Sequence, residues 1–248
     1  MCSQLRNFRL KLAYDGTRFF GWQKTPDGPT IEEELQKVLE KILQQKIKLN
    51  AASRTDRGVH ALSQTVNFKA FKAPSFISIN RLLPPDMALL EIKEVPLNFH
   101  ATLCAKSKTY RYEMTSAPFQ MPCKRWYEWH YPANLDLELM QAAAKLLIGK
   151  KDFQALTNYR SYDLYAHTVR DVYAITVDET SPQSYRFTLT GESFLYKMIR
   201  NLVGLIVWVG DKKISLREVQ ALLDSKDRRK AGISAPACGL TLVSQSFD

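Results

Sequence analysis

The chain has 248 residues, 45% of them hydrophobic and 24% charged, which excludes a largely disordered protein and is enough for a sizeable core in one domain or two. The balance of 35 Lys and Arg against 25 Asp and Glu leaves a formal charge of +10. Such a charge concentrates anions around the protein and makes nucleic acid the obvious partner, with solubility as the plainer alternative.

Phe8 to Tyr14 alternates as a strand does and stops at the Asp15-Gly16 turn signal. Thr30 is placed to cap a helix, and Glu32, Glu33 and Glu34 suit the positive end of its dipole. Leu35, Val38, Leu39, Ile42 and Leu43 make its apolar face. Gln64 to Phe71 returns to alternation, with Val66, Phe68 and Ala70 on one side. Ser75 to Leu83 reads as a short helix ended by Pro84-Pro85, and Met87 to Val95 as a strand. A second set begins near Lys108. Thr109 to Thr115 reads as a strand, and Ala133 to Leu147 as a helix packing through Leu135, Leu139, Ala142, Leu146 and Leu147. Val169 to Val177 and Tyr185 to Leu189 read as paired strands, followed by helices over Phe194 to Val209 and Leu216 to Leu223. Pro26–Pro29, Ala117–Pro122, Thr157–Ala166 and Asp224–Pro236 are expected loops.

Strands and helices thus recur in two similar sets, and the expected class is α+β: two related α/β halves with antiparallel sheets and helices packed on the sheet. No Pro-rich or Gly/Ser-rich linker separates them, and residues 96–108 are the best boundary, giving halves 1–105 and 106–248. Cys2, Cys104, Cys123 and Cys238 form no CxxC pair, so thiols in a reducing cytoplasm are expected rather than a structural zinc site. The N-terminus lacks the long apolar core of a secretory signal. Phe194–Val209 contains Lys197 and Arg200 and is shorter than the roughly 20 residues that span a bilayer, so a buried helix and no membrane partner are expected.

The run Arg54-Thr55-Asp56-Arg57-Gly58-Val59-His60-Ala61 sets one carboxylate between two arginines, ahead of a glycine turn and an apolar strand. Gly58 permits backbone angles closed to most residues, so a tight turn can fix Asp56 on a loop. Arg54 and Arg57 can pair with phosphate, stack beneath a base or neutralise a carboxylate, and their spacing does not choose among these. An Asp beside cations stays ionised at neutral pH, which suits a nucleophile or base and not an acid. The bland alternative is a charged turn, with His60 as a packing residue. The basic run from Lys226 to Lys230 can meet phosphate, or be a mobile solvated loop. No HExxH, P-loop or G-x-S-x-G motif supports a hydrolase.

The wider pattern carries a resemblance. Tyr14-Asp15-Gly16-Thr17, Phe20-Gly21-Trp22-Gln23, the Asp56 run, Phe99-His100-Ala101, Lys108-Thr109-Tyr110-Arg111-Tyr112, Phe194 to Gly204 and Ala235 to Leu240 resemble, in order, the signatures of the TruA-type tRNA pseudouridine synthases. The resemblance implies that Asp56 is the catalytic aspartate, Tyr110 the aromatic residue against the target base, and Arg200 the cation that pairs with Asp56. It makes Arg54 an RNA contact that holds the target nucleotide out of its helix. Arg57, His60, Lys226, Arg228, Arg229 and Lys230 are the further expected RNA contacts. It also implies a homodimer, a central basic cleft joining the halves, and uridines 38, 39 and 40 of the tRNA anticodon stem-loop as substrate. The isomerisation has no net redox change, so no cofactor and no metal are expected. Thr102, Cys104, Arg57, Glu33, Lys197 and Cys238 depart from the family's usual residues. The competing reading is a non-catalytic RNA-binding or RNA-folding protein in which Asp56 only orients arginines.

Overall fold

The computed structural model describes residues 4–158 and 167–247; Cys2 and residues 159–166 of the expected Thr157–Ala166 loop lie outside them. The architecture is mixed α/β, and the chain divides into two compact units: Met1–Lys106 with Thr241–Asp248, and Ser107–Leu240.

The first unit opens with strand β1 (Arg6–Tyr14), whose Phe8, Leu10, Leu12 and Tyr14 are buried on one face. Helix α1 (Ile31–Leu43) starts where the Thr30 hydroxyl accepts the Glu33 N–H at 3.3 Å, and ends where Gln44 turns left-handed. Ile31, Leu35, Val38 and Leu39 are buried, whereas Ile42 and Leu43, expected on the same face, are only half-buried where the helix leaves the core. A short strand β2 (Asn50–Ala51) precedes the long β3 (His60–Ala70). Helix α2 (Phe76–Leu82) is capped by the Ser75 hydroxyl and halted before Pro84-Pro85, and β4 (Met87–Val95) follows. The strands pair antiparallel in the order β4-β1-β3, with Phe8 opposite Phe68 and Leu10 opposite Val66, and β2 adds to β3.

Val66, Phe68 and Ala70 face the core as their alternation requires, but Thr65 and Asn67 on the other face of β3 are buried too. Asn67 explains it. Its amide donates to Asn7 Oδ1 at 3.0 Å and to the Phe99 carbonyl at 3.2 Å, and its Oδ1 accepts the Ala101 N–H at 2.9 Å. Asn7 in turn donates to the carbonyls of Pro96 and Phe99. The Phe99-His100-Ala101 motif is therefore strapped over the second face of the sheet by fully satisfied amides.

The second unit contains β5 (Ser107–Thr115), β6 (Trp129–His130), α3 (Leu137–Leu146), β7 (Gly149–Asp152), β8 (Val169–Ser181), β9 (Ser184–Gly191), α4 (Met198–Gly210) and α5 (Leu216–Ser225). Its sheet runs β5-β9-β8-β7, all antiparallel, with β6 parallel to the far edge of β5. The last strand, β10 (Leu240–Ser246), sets Thr241 and Leu242 parallel to His60 and Ala61 of β3, which is why the chain end groups with the first unit.

Three expectations need correction here. Helix α3 begins at Leu137 and not Ala133, because Asp136 Oδ1 accepts the Leu139 N–H at 3.1 Å and fixes the start. Its buried positions are Met140, Ala143 and Ala144; Leu139 and Ala142 are half-buried and Leu146 is 45% exposed. Helices α3 and α4 approach closely at Met140: a methyl on Gly210 would meet Met140 Cγ at 2.5 Å. Helix α4 starts at Met198, four residues late, because Lys197 sits at φ 57°. The basic 224–236 segment is no solvated loop: α5 runs to Ser225, a short 3-10 turn covers Arg228–Lys230, and Ala231 and Ala235 are fully buried. Among the described residues, no helix is long and apolar enough to cross a membrane.

α4 is buried on nearly every side, as a core helix of this apolarity should be. Gly204 lies against the backbone of Ile233, and any Cβ there would drive into the Ile233 carbonyl. Gly204→Ala should therefore destabilise by about 1–3 kcal/mol, the usual range for overpacking. The expected readout is a lower urea midpoint at unchanged m-value; an unmoved midpoint would mean that the 231–235 segment shifts away at no cost.

Candidate active site

In the first unit, the segment after β2 is held by backbone contacts that only glycine allows. Gly21 adopts φ 97°, and a Cβ there would sit 2.7 Å from the Thr55 carbonyl and 3.1 Å from Arg57 N. Trp22 N–H donates to the Thr55 carbonyl at 2.9 Å, and Gly58 N–H to the Phe19 carbonyl at 3.3 Å. Gly16 packs so tightly on Val59 that a side chain would strike the Val59 carbonyl. Inside the loop, Val59 N–H closes a turn onto the Asp56 carbonyl at 3.1 Å, with Gly58 at φ 79°. From below, the Thr55 hydroxyl and the Tyr14 hydroxyl bond at 2.8 Å, and Gln64, itself fully buried, donates to the Ser53 carbonyl and accepts the Ser53 N–H. The motifs Tyr14–Thr17 and Phe20–Gln23 thus converge on one loop, and that loop presents Asp56.

Thr55 and Val59 are buried, Asp56 is half-buried, and Arg54 and Arg57 are exposed. Arg57 lies flat on Phe20, its guanidinium carbon 3.9 Å from the ring centroid. His60 is turned inward at 6% exposure: its Nδ1 lies 3.0 Å from the Gly16 N–H and 3.2 Å from Asp15 Oδ1. This residue braces the glycine loop and presents no open edge comparable to those of Arg54 and Arg57.

In the second unit, Tyr110 lies on β5 opposite Leu189, 6% exposed, with Phe194 edge-on at 5.7 Å and 89°. Arg200 lies in the first turn of α4, half-buried. Its Nε donates to the Ala235 carbonyl at 2.7 Å, and its own carbonyl accepts the Ala235 N–H at 3.0 Å, so side chain and backbone are tied to the same residue. Burial pushes the Cys238 thiol up and the Tyr112 phenol well up, while the Arg200 charge pulls both the other way. Both groups are therefore neutral neighbours of a positive centre.

The segment beneath Arg200 contains a network that sequence reasoning missed. Arg228 donates to Asn158 Oδ1 at 3.3 Å, the Gly232 carbonyl at 2.9 Å, Asn201 Oδ1 at 2.8 Å and Ser234 Oγ at 2.8 Å. Asn201, fully buried, donates to the Leu156 carbonyl and to Asn158. Arg228, expected at phosphate, spends its donors inside its own unit. Lys226 pairs with Asp152 at 2.8 Å, and Arg229 with Asp227 at 2.7 Å, while Lys230 is exposed. Asn201, a polar residue beside Arg200 in the mostly apolar α4, was the signal available in the sequence. Among the described residues, no three His, Cys, Asp or Glu side chains cluster so as to hold a metal ion.

The family model described as tRNA pseudouridine synthase matches residues 12–102 and 143–248. The tRNA pseudouridine synthase A 2 of Protochlamydia amoebophila (strain UWE25) is 42% identical over 247 residues, covering 98% of this chain and 94% of that protein. The tRNA pseudouridine synthase A of Thermoanaerobacter sp. (strain X514) is 41% identical over 245 residues, covering 96% and 98%. The enzyme of that name from Myxococcus xanthus is 37% identical over 239 residues, covering 94% and 89%. These relatives extend across residues 103–142, which the family model passes over, so the strand of Tyr110 falls within the likeness as well, and the chain belongs to the TruA-type tRNA pseudouridine synthase family.

Proposed function

We propose that this chain isomerises uridine to pseudouridine in tRNA, with Asp56 as the catalytic carboxylate, and that its substrates are uridines 38, 39 and 40 of the anticodon stem-loop. The observation that carries the reading is the loop of residues 53–59, clamped by the Tyr14–Thr17 and Phe20–Gln23 motifs with a half-buried carboxylate at its tip. A group that must reach a reacting carbon needs this kind of preorganisation, since 1 Å of misplacement can cost about 100-fold in rate. Family membership over both units supports the same assignment.

The reaction breaks the bond from C1′ to N1, turns the base and joins C1′ to C5. The C5 proton leaves and N1 gains one, so atoms and electrons balance without an electron carrier. Asp56, ionised at neutral pH, attacks C1′ or C6, or begins loss of the 2′ proton. Arg200 pairs with Asp56 in the reacting complex and keeps it charged. Tyr110 offers a flat face for the uracil and a hydroxyl for proton transfer. The target nucleotide has to leave its stack, at a cost of a few kcal/mol. Arg54, exposed beside Asp56, braces the vacated space, and Arg57 and Lys230 meet backbone phosphates, which position RNA without selecting its sequence. The working form in this reading is a cytoplasmic homodimer, with the tRNA in a basic cleft where shape supplies much of the selection.

Asp56→Asn should fold, bind tRNA with unchanged affinity and form no pseudouridine in a chemical-labelling assay; turnover near the normal rate would remove Asp56 from the mechanism. Arg200→Ala should lower kcat about 100-fold or more, the penalty for a misdirected attacking group, while tRNA binding persists. A kcat loss accompanied by equal loss of binding would make Arg200 an RNA contact instead. Mapping pseudouridine in a cognate tRNA pool treated with each protein should give marks at 38, 39 and 40 that require Asp56. Marks elsewhere would keep the reaction and reject the sites, and binding without any product would favour an RNA-folding role.

A further inference from the structure

Alternate residues of β5 form one row on a single face of the sheet. Met114, Tyr112 and Tyr110 are buried in that row, opposite Tyr185, Phe187 and Leu189 of β9. The next position in the row is Lys108, opposite Gly191, which has no side chain and whose open face is occupied by the Phe194 ring and the Asp171 carbonyl. A lysine thus takes the place where the alternation calls for an apolar residue, two positions from Tyr110 and beside the aromatic ring that packs on it. Breaks of this kind in an otherwise consistent strand pattern concentrate at functional positions.

Among the described residues, no carboxylate bonds the Lys108 amine. The groups that act on it are the surrounding protein, which desolvates it, and Arg170, a second cation; together they bring its pKa down to about 8. Arg170 Nη1 donates to the carbonyls of His167 and Val169, which orients its guanidinium in the same region. Lys108 remains mostly protonated at neutral pH. A desolvated ammonium with no bonded carboxylate among the described residues is costly until an anion arrives, and a phosphodiester would replace part of the lost hydration.

We propose that Lys108 is an RNA-phosphate site: it binds a phosphodiester of the target strand next to the nucleotide that Tyr110 receives. This rests on the RNA-binding reading given above. The site differs from Lys226, Arg228 and Arg229, whose charges are engaged within the protein. Because it adjoins Tyr110, its phosphate belongs to the extruded nucleotide or its immediate neighbour.

The test compares tRNA binding by Asp56→Asn with that of Asp56→Asn/Lys108→Met across a salt series. The expected result is an affinity about tenfold lower, as for loss of one charge-assisted bond, and a log K against log salt slope shallower by about 0.7–0.9, as for one phosphate contact. Lys108→Met should melt no lower than the parent, since it removes a desolvated charge. If it melts lower, Lys108→Arg and Lys108→Gln carry the comparison: the Arg variant should keep the steeper slope, and equal slopes in the two overturn the site. Unchanged affinity and slope in the Met variant overturn it while leaving tRNA binding intact, whereas no salt-dependent binding by the parent overturns both readings. Inorganic phosphate separates the sources. A Lys108-dependent rise in melting temperature with phosphate, alongside unmoved tRNA affinity, assigns a free-anion site and overturns the RNA contact.

Discussion

The candidate chemistry depends on two glycines that let one loop touch the backbone beneath it. Gly21 at φ 97° and Gly16 against Val59 bring peptide planes closer than any side chain permits, and hydrogen bonds from Trp22 and Gly58 close the gap. The result is a carboxylate mounted on backbone and not on a long side chain. Each bond fixes a group that has already lost its freedom to the sheet, so ordering the loop requires little additional entropy when substrate arrives. Gln64 and the Tyr14–Thr55 pair complete the mounting from within β3 and β1, where burial makes an unsatisfied partner expensive.

The second unit solves a comparable problem with charge. Arg200 must keep its guanidinium near one orientation while its helix is packed on all sides by apolar residues. Its double tie to Ala235 passes the question to the 231–235 segment, and that segment is held by Arg228 reaching Asn158, Asn201, Gly232 and Ser234. A partly buried guanidinium is a poor source of stability unless its donors are met, and these are met by neutral oxygens. Burial pulls the Arg228 pKa down, the direction expected for a cation solvated by amides and carbonyls in place of carboxylates. Specific geometry, more than stability, is what such a network supplies.

How much of this was legible follows from how local each cause is. Strands β1 and β4 and helix α1 are written in runs of neighbouring residues, and Thr30 caps α1 from the position its sequence context indicates. Helix α3 starts later than its apolar spacing indicates because Asp136 caps it, and its buried face includes Met140, packed against Gly210 of α4, a fact about another segment. Lys197 in a left-handed conformation carries no glycine to announce it. The pairing of β10 with β3 and the burial of Asn67 arise from residues far apart in the chain. Within the candidate site, the Asp56 loop was readable because its motif is contiguous. The Arg228 network was not, since two of its four partners lie 27 and 70 residues away.

The same contrast governs what the net charge means. A surplus of +10 suggests a basic surface, yet Arg6 pairs with Glu94, Arg9 with Glu91, Lys226 with Asp152 and Arg229 with Asp227. Those cations contribute to the long-range field that draws RNA in, but each already has a counterion at short range. A phosphate gains most where it relieves a cost the folded protein is still bearing, and that cost is visible only in three dimensions, as a desolvated ammonium with no bonded carboxylate among the described residues. Lys108 meets this condition on the strand of Tyr110, whereas in the basic run at 226–230, more conspicuous in the sequence, Arg228 is committed to holding the protein's own chain. Charge density in a sequence therefore predicts attraction, and the absence of a local partner predicts where the attracted group comes to rest.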